Sequence, residues 1–219
     1  MNVLILGAGK FGLHALKHMG ALASTTAMTI VEKRRYLCMS LKMQDFNSFC
    51  ADGIDYLADN LNQPEDFDWI VPAIPVHVAF EWVKRKLPET KTVKVLGVPD
   101  KIRQRLPNLM NADDQGVFMS NADFLCPVNC SEPDETCTYT GKPRPRLLFR
   151  ELASIRHRGF CSIVVQSKQL APGIGGYETQ ALFRALRLVS ESNTPVLLST
   201  ACKCHGVMHA FKTVNRSKA

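Results

Sequence analysis

The sequence has no long hydrophobic run. No stretch approaches the roughly 20 apolar residues that a helix needs to cross a bilayer, so membrane insertion is not expected. Val3–Leu6 is too short for the core of a secretory signal and runs straight into a glycine turn, which makes the cytoplasm the expected compartment. No internal repeat recurs, which excludes a solenoid. No low-complexity linker divides the chain, and this favours intimate packing of its parts. The C-x2-C pairs of a zinc ribbon and the cysteine run of a ferredoxin are both missing. No nucleic-acid module with its own residue signature is visible either, so nucleic acid ranks last among partners.

What is present begins with the first dozen residues. Asn2-Val-Leu-Ile-Leu-Gly7-Ala-Gly9-Lys10-Phe11-Gly12 reads as a short buried strand, a tight turn and the opening of a helix. Gly7 permits the turn, Gly9 removes a side chain that would block close backbone approach, and Gly12 lets the helix sit against the strand. Backbone N–H groups at a positive helix N-terminus suit a pyrophosphate. A second apolar run, Thr26–Val31, ends in Glu32, at the spacing where a carboxylate holds a ribose hydroxyl.

Strand and helix alternate from there. Helices are expected near 11–21, 36–43, 54–61, 76–87 and 100–106, and strands near 47–53, 68–74 and 92–98. That cadence predicts an α/β fold, a doubly wound and mostly parallel Rossmann sheet with ligand at the carboxyl ends of its strands. Residues 1–118 form the dinucleotide domain in this reading. Residues 119–219 form a smaller α/β part, either a cap or an extension of the same sheet. It comprises a candidate strand at 116–125, an aperiodic cysteine-rich loop over 126–145, a helix at 147–155, a strand at 160–166, a loop at 167–176, a helix at 177–192 and a strand at 195–200.

The set Gly7-x-Gly9-x-x-Gly12, Glu32 and Ala51-Asp52-Gly53-Ile54-Asp55-Tyr56-Leu57 resembles the NAD(P)-binding domains of TrkA-type potassium-uptake regulators. Saccharopine-dehydrogenase-like Rossmann proteins share the pattern. The resemblance covers residues 1–100 and implies that Glu32 holds the adenosine ribose while Asp52 lies near the adenine. The expected cofactor-binding set is Gly7, Gly9, Lys10, Phe11, Gly12, Glu32, Lys33, Asp52, Ala73 and Ile74. Glu32 argues for NAD because a carboxylate repels a 2′-phosphate, whereas Lys33, Arg34 and Arg35 could clamp one and so select NADP.

The eight cysteines are the second signal. In a reducing compartment structural disulfides are not expected. Cys126, Cys130 and Cys137 share one loop, and Cys202 or Cys204 could add a fourth thiolate. Such a set suits zinc or an iron–sulfur cluster. Reduced surface thiols and a redox-active pair are the competing readings, and Cys38 and Cys50 read as small core residues.

Basic residues crowd between Lys142 and Arg158, giving either a solvated surface or one for an anionic small-molecule substrate. Gly173–Gly176 could cradle an anion with Lys168, or simply turn from strand to helix. His205 and His209 are spaced to share a helix face. His77 could face a nicotinamide or start a surface helix. The function expected is NAD(P)-dependent oxidoreduction beside a cysteine-ligated metal centre, with no general acid or base identifiable. The alternative is a nucleotide-sensing regulatory module without turnover; a tetrapyrrole-biosynthesis dehydrogenase is a third option. A dinucleotide and further copies of the chain, as a homo-oligomer, are the remaining expected partners.

Overall fold

The computed structural model describes residues 1–111, 115–144 and 146–216 of the chain. Pro145, the last residue of the expected cysteine-rich loop, lies outside them. The first half alternates β1 (Asn2–Leu6), α1 (Lys10–Gly20), β2 (Ala27–Val31), α2 (Arg35–Met43), β3 (Ser48–Phe49), α3 (Gly53–Asn60), β4 (Trp69–Pro72) and α4 (Val78–Lys86). Then follow β5 (Lys91–Leu96), α5 (Asp100–Arg103), β6 (Met110–Asn111), β7 (Val117–Ser120) and α6 (Leu148–Ala153). The chain continues through β8 (Cys161–Gln166), β9 (Lys168–Ala171), β10 (Ile174–Glu178), α7 (Thr179–Glu191), β11 (Val196–Ala201) and β12 (His205–Asn215). Among the described residues no helix is long and apolar enough to cross a membrane.

The result is a mixed α/β structure with two mixed sheets in place of one mostly parallel sheet. The first has the order β3-β2-β1-β4-β10-β9. It is parallel through β4 and antiparallel where β10 joins β4 and β9. The second runs β6-β7-β12-β11-β8, and only β8 and β11 are parallel. One edge of β12 holds β11; its other edge is shared by β7 and β5.

Alternation of side chains builds the layers. In β1 every residue from Val3 to Leu6 is fully buried, as a strand covered on both faces must be. Val3 and Ile5 pack toward α1, with Ala15, Leu16 and Met19. Leu4 and Leu6 face the opposite way, into a core with α3, α4 and α7. Ile163, Val165, Leu198 and Phe211 close that same core from the second sheet. Leu197, Met208 and Ala210 point outward to a third cluster under α5 and α6. Sheets and helices thus alternate in five layers. Trp82 and Phe80 of α4 sit at the centre, and burying each is worth about 2–3 kcal/mol.

Several expectations need correction. Thr92–Val98 does not extend the first sheet, because β5 pairs antiparallel with β12 of the second. Its six residues are all partly exposed, unlike a strand sandwiched between helices. The loop at 167–176 is the hairpin β9–β10, so Gly173–Gly176 is not a strand-to-helix turn. His205 and His209 lie on a strand, where a spacing of four also returns to one face.

Candidate functional site

The turn between β1 and α1 is built around its glycines. Gly7 has φ +96°, and a Cβ there would meet the Ala73 carbonyl oxygen at 2.8 Å and the Ile74 side chain at 2.7 Å. At Gly12 a Cβ would lie 1.8 Å from the Gly7 carbonyl oxygen, so only glycine lets α1 close onto the turn. At Gly9, by contrast, nothing comes nearer than the Arg34 guanidinium at 3.8 Å. Lys10 and Phe11 open α1 from an exposed position, and its first turn carries no acidic residue. Ala73 and Ile74 therefore do meet the glycine turn, at the carboxyl ends of β1 and β4.

Glu32 is buried, and its carboxylate is fully engaged. Oε2 accepts from the Ala8 N–H at 2.7 Å and from Arg34 Nη2 at 2.9 Å. Oε1 accepts from the Arg34 N–H and from Arg34 Nε, both at 2.8 Å. The Arg34 fork holds the Glu32 pKa down at about 2 against its burial. A ribose hydroxyl thus reaches this carboxylate only if Arg34 moves aside. Lys33 is exposed beside it. Asp52 caps α3, accepting from Ile54 N–H at 2.8 Å and Asp55 N–H at 3.3 Å. Arg34 is the residue whose importance the sequence understated; its place two residues after Glu32 was the available signal.

His77 does not start a surface helix. It is buried at the N-terminus of α4, its Nδ1 2.9 Å from Nδ1 of His209 and its Nε2 3.0 Å from the Thr200 hydroxyl. Phe80 stacks on the His209 ring at 4.1 Å between centroids. Burial and the neighbouring His209 push the His77 pKa well below its ordinary value, so the ring is neutral.

Apart from Cys161, exposed at the start of β8, the cysteines divide into two groups. Cys38 and Cys50, expected as separate reduced residues, form a disulfide between α2 and the end of β3. Their Cα atoms lie 5.5 Å apart, the separation a disulfide spans. The other group gathers at one corner of the second sheet. Cys126 Sγ lies 3.6 Å from His205 Nε2, and Cys202 Sγ 3.9 Å from His205 Nδ1. Arg144 reaches in from the basic segment: Nη1 contacts Cys204 Sγ and Nη2 donates to the Pro133 carbonyl at 2.8 Å.

Backbone N–H groups converge on these sulfurs. Cys202 Sγ accepts from Cys204 at 3.4 Å and His205 at 3.3 Å, and Cys130 Sγ accepts from Glu132 at 3.4 Å. At Cys137 the Thr140 hydroxyl and the N–H groups of Thr140 and Tyr139 lower the thiol pKa. Burial instead raises Cys126, with help from Cys130 and Cys137, and pushes Cys202 up to about 12. Burial keeps His205 neutral. As the side chains stand, no group of three or more His, Cys, Asp or Glu among the described residues could hold a metal ion.

The hairpin β9–β10 joins the two regions. His14 Nε2 on α1 is 3.2 Å from the Pro172 carbonyl, and Gly173 N–H donates to the Cys130 carbonyl at 2.8 Å. A Cβ on Gly173 would lie 1.5 Å from the Val128 carbonyl oxygen, so the tip fits against the cysteine loop only as glycine.

No solved structure matches the chain. A relative from Archaeoglobus fulgidus, described as "Uncharacterized protein", is 29% identical over 227 residues, spanning 95% of this chain and 98% of that one. A family model described as "Uncharacterized protein, C-terminal domain" matches residues 79–214, from within α4 to within β12. By that match the chain belongs to the AF_1314_C family.

Proposed function

We propose that the chain binds a nicotinamide dinucleotide in the crevice at the carboxyl ends of β1 and β4 and acts as an oxidoreductase. In the same proposal, β3-β2-β1-β4 is half of a doubly wound Rossmann sheet of the kind found in TrkA-type regulators. Successive connections leave β1 and β4 toward opposite faces, and dinucleotides bind at such a switch point. The observation that carries the reading is the β1–α1 turn. Gly7 and Gly12 have no room for a side chain, while at Gly9 a Cβ would meet only the Arg34 guanidinium, at 3.8 Å. The first N–H groups of α1 lack helical partners and, with Arg34, offer a positive cradle to a diphosphate.

In this reading the turn holds the pyrophosphate, and Ala73 and Ile74 close the floor of the crevice. Arg34 decides between cofactors. Turned onto a 2′-phosphate it favours NADP; released from Glu32 it leaves the carboxylate to a 2′-hydroxyl and NAD. A bound nicotinamide would supply hydride transfer. The engagement of His77 with His209 and Thr200 leaves no histidine of β4–α4 facing the crevice, and this favours a second reading, a nucleotide sensor without turnover.

Titration of the full chain with NADH and NADPH, followed by calorimetry, tests the proposal. Saturable binding is expected. Gly9→Val should weaken it by about tenfold or more, or 1.4 kcal/mol, with little change in thermal midpoint. Arg34→Ala should shift preference toward NADH. No binding of either nucleotide, or unchanged binding by Gly9→Val, would overturn the reading. Reduction of an artificial electron acceptor by bound NADH separates enzyme from sensor.

A further inference from the structure

We infer that the Cys38–Cys50 disulfide is a redox latch on the Glu32–Arg34 pair. Closed, it keeps the carboxylate covered; its reduction opens Glu32 to a ribose hydroxyl. What the opened carboxylate receives rests on the dinucleotide reading, whereas the latch itself does not.

The placement of the bridge is the first support. The carbonyl of Phe49, the last residue of β3, accepts from the Glu32 N–H at 3.0 Å. Cys50 comes next and is bonded to Cys38. The Cys38 N–H donates to the Arg34 carbonyl at 3.1 Å, and the Arg34 guanidinium returns to the Glu32 carboxylate. A closed ring of short links therefore joins the carboxylate to the bridge, and the disulfide is its one covalent cross-link. Two residues past Cys50, Asp52 caps α3. Both acids assigned to the adenosine half of the crevice thus lie on this ring or within two residues of it.

Little else fastens the start of α2, and this is the second support. Its nine residues are too few for a helix to persist alone in water. Only Cys38 and Leu41 among them are buried, while Tyr36, Met39 and Met43 are exposed. Arg34 at the N-cap gives the helix no side-chain cap, because its side chain turns back to Glu32. The partner across the bridge is a two-residue strand at the sheet edge. With the bridge cut, the Ser48 hydroxyl on the Cys38 carbonyl at 3.4 Å and the Arg34 fork remain. That guanidinium is 45% exposed, so water competes for it. Local opening of this turn is then the low-energy fluctuation that uncovers Glu32.

The opening step is thiol–disulfide exchange with a dithiol reductant. Cys50 is exposed and Cys38 is buried, so a reductant thiolate attacks the Cys50 sulfur. The bond between the two cysteines breaks, and Cys38 leaves as a thiolate that takes up a proton. The second thiol of the reductant then displaces Cys50. The protein gains two electrons and two protons, and the reductant becomes a disulfide. Coupling of this kind runs both ways. A nucleotide held about tenfold tighter by the reduced form raises the midpoint potential of the bridge by about 30 mV.

The test compares the full chain, oxidised and dithiothreitol-reduced, by calorimetry with NADH. The reduced form should bind about tenfold tighter. Cys50→Ser should match it and ignore dithiothreitol. Amide hydrogen exchange reads the latch with no nucleotide present. The Ala8 and Arg34 N–H groups, both held by Glu32, should exchange faster after reduction, while those of α7 keep their protection. Equal or weaker NADH affinity after reduction, or unchanged protection at Ala8 and Arg34, would overturn the inference. So would a loss of protection that extends to α7, since the bridge is then a general staple. If neither form binds nucleotide, the dinucleotide reading fails, and exchange at Ala8 and Arg34 alone decides whether the latch exists.

Discussion

Glu32 and Arg34 show how much one buried carboxylate can organise. The carboxylate ties the Ala8 N–H of the glycine turn to the start of α2 through four hydrogen bonds. Its folded pKa of about 2 lies below the ordinary 4.5. The pair therefore stabilises the fold fully above pH 4.5 and loses that contribution as pH falls toward 2. We expect Glu32→Gln to cost about 2 kcal/mol at neutral pH, less than the whole pKa change converts to, because Arg34 is 45% exposed and screened by solvent. Urea unfolding at pH 7 and pH 3 checks this. The variant should lose stability at the first and differ less from wild type at the second. His77 titrates in a different window. Its folded pKa is depressed, so stability is complete above about pH 6.5 and declines below it, as the unfolded chain takes up a proton that the core refuses. Stability is expected to decline between pH 6.5 and 5. That decline should be smaller in His77→Asn, by the same urea titrations, where the depressed His205 still contributes.

At the scale of elements, the Cys38–Cys50 disulfide ties α2 to β3, the two-residue strand at the edge of the first sheet. It closes a loop over a sequence separation of 12. Reduction, or Cys38→Ser, should cost about 2–3 kcal/mol, read as a lower denaturation midpoint under reducing conditions. Elements with a strong local period are legible in the sequence. The buried run of β1, the apolar stripe of α7 through Leu182, Ala185 and Val189, and the glycine turn each declare themselves within a dozen residues. Pairing partners do not. Thr92–Val98 reads equally well as a strand of either sheet, because register is set by contacts far along the chain. The spacing of His205 and His209 fits two periods, and sheet pairing decides between them. The disulfide is illegible for a similar reason: a separation of 12 says nothing about whether two Cβ atoms point at each other.

For the whole molecule, β12 is the central fact. Its eleven residues pair with β11, β7 and β5, so the last long strand of the chain fastens strands from both halves. The family match over residues 79–214 takes in the strands of the second sheet together with β9 and β10 of the first. The tip of β9–β10 works at the same scale, touching α1 through Pro172 and the cysteine loop through Gly173. A wedge seated against both regions makes them conversational. A displacement of α1 or of the cysteine loop therefore either carries the tip along or breaks one of these two hydrogen bonds.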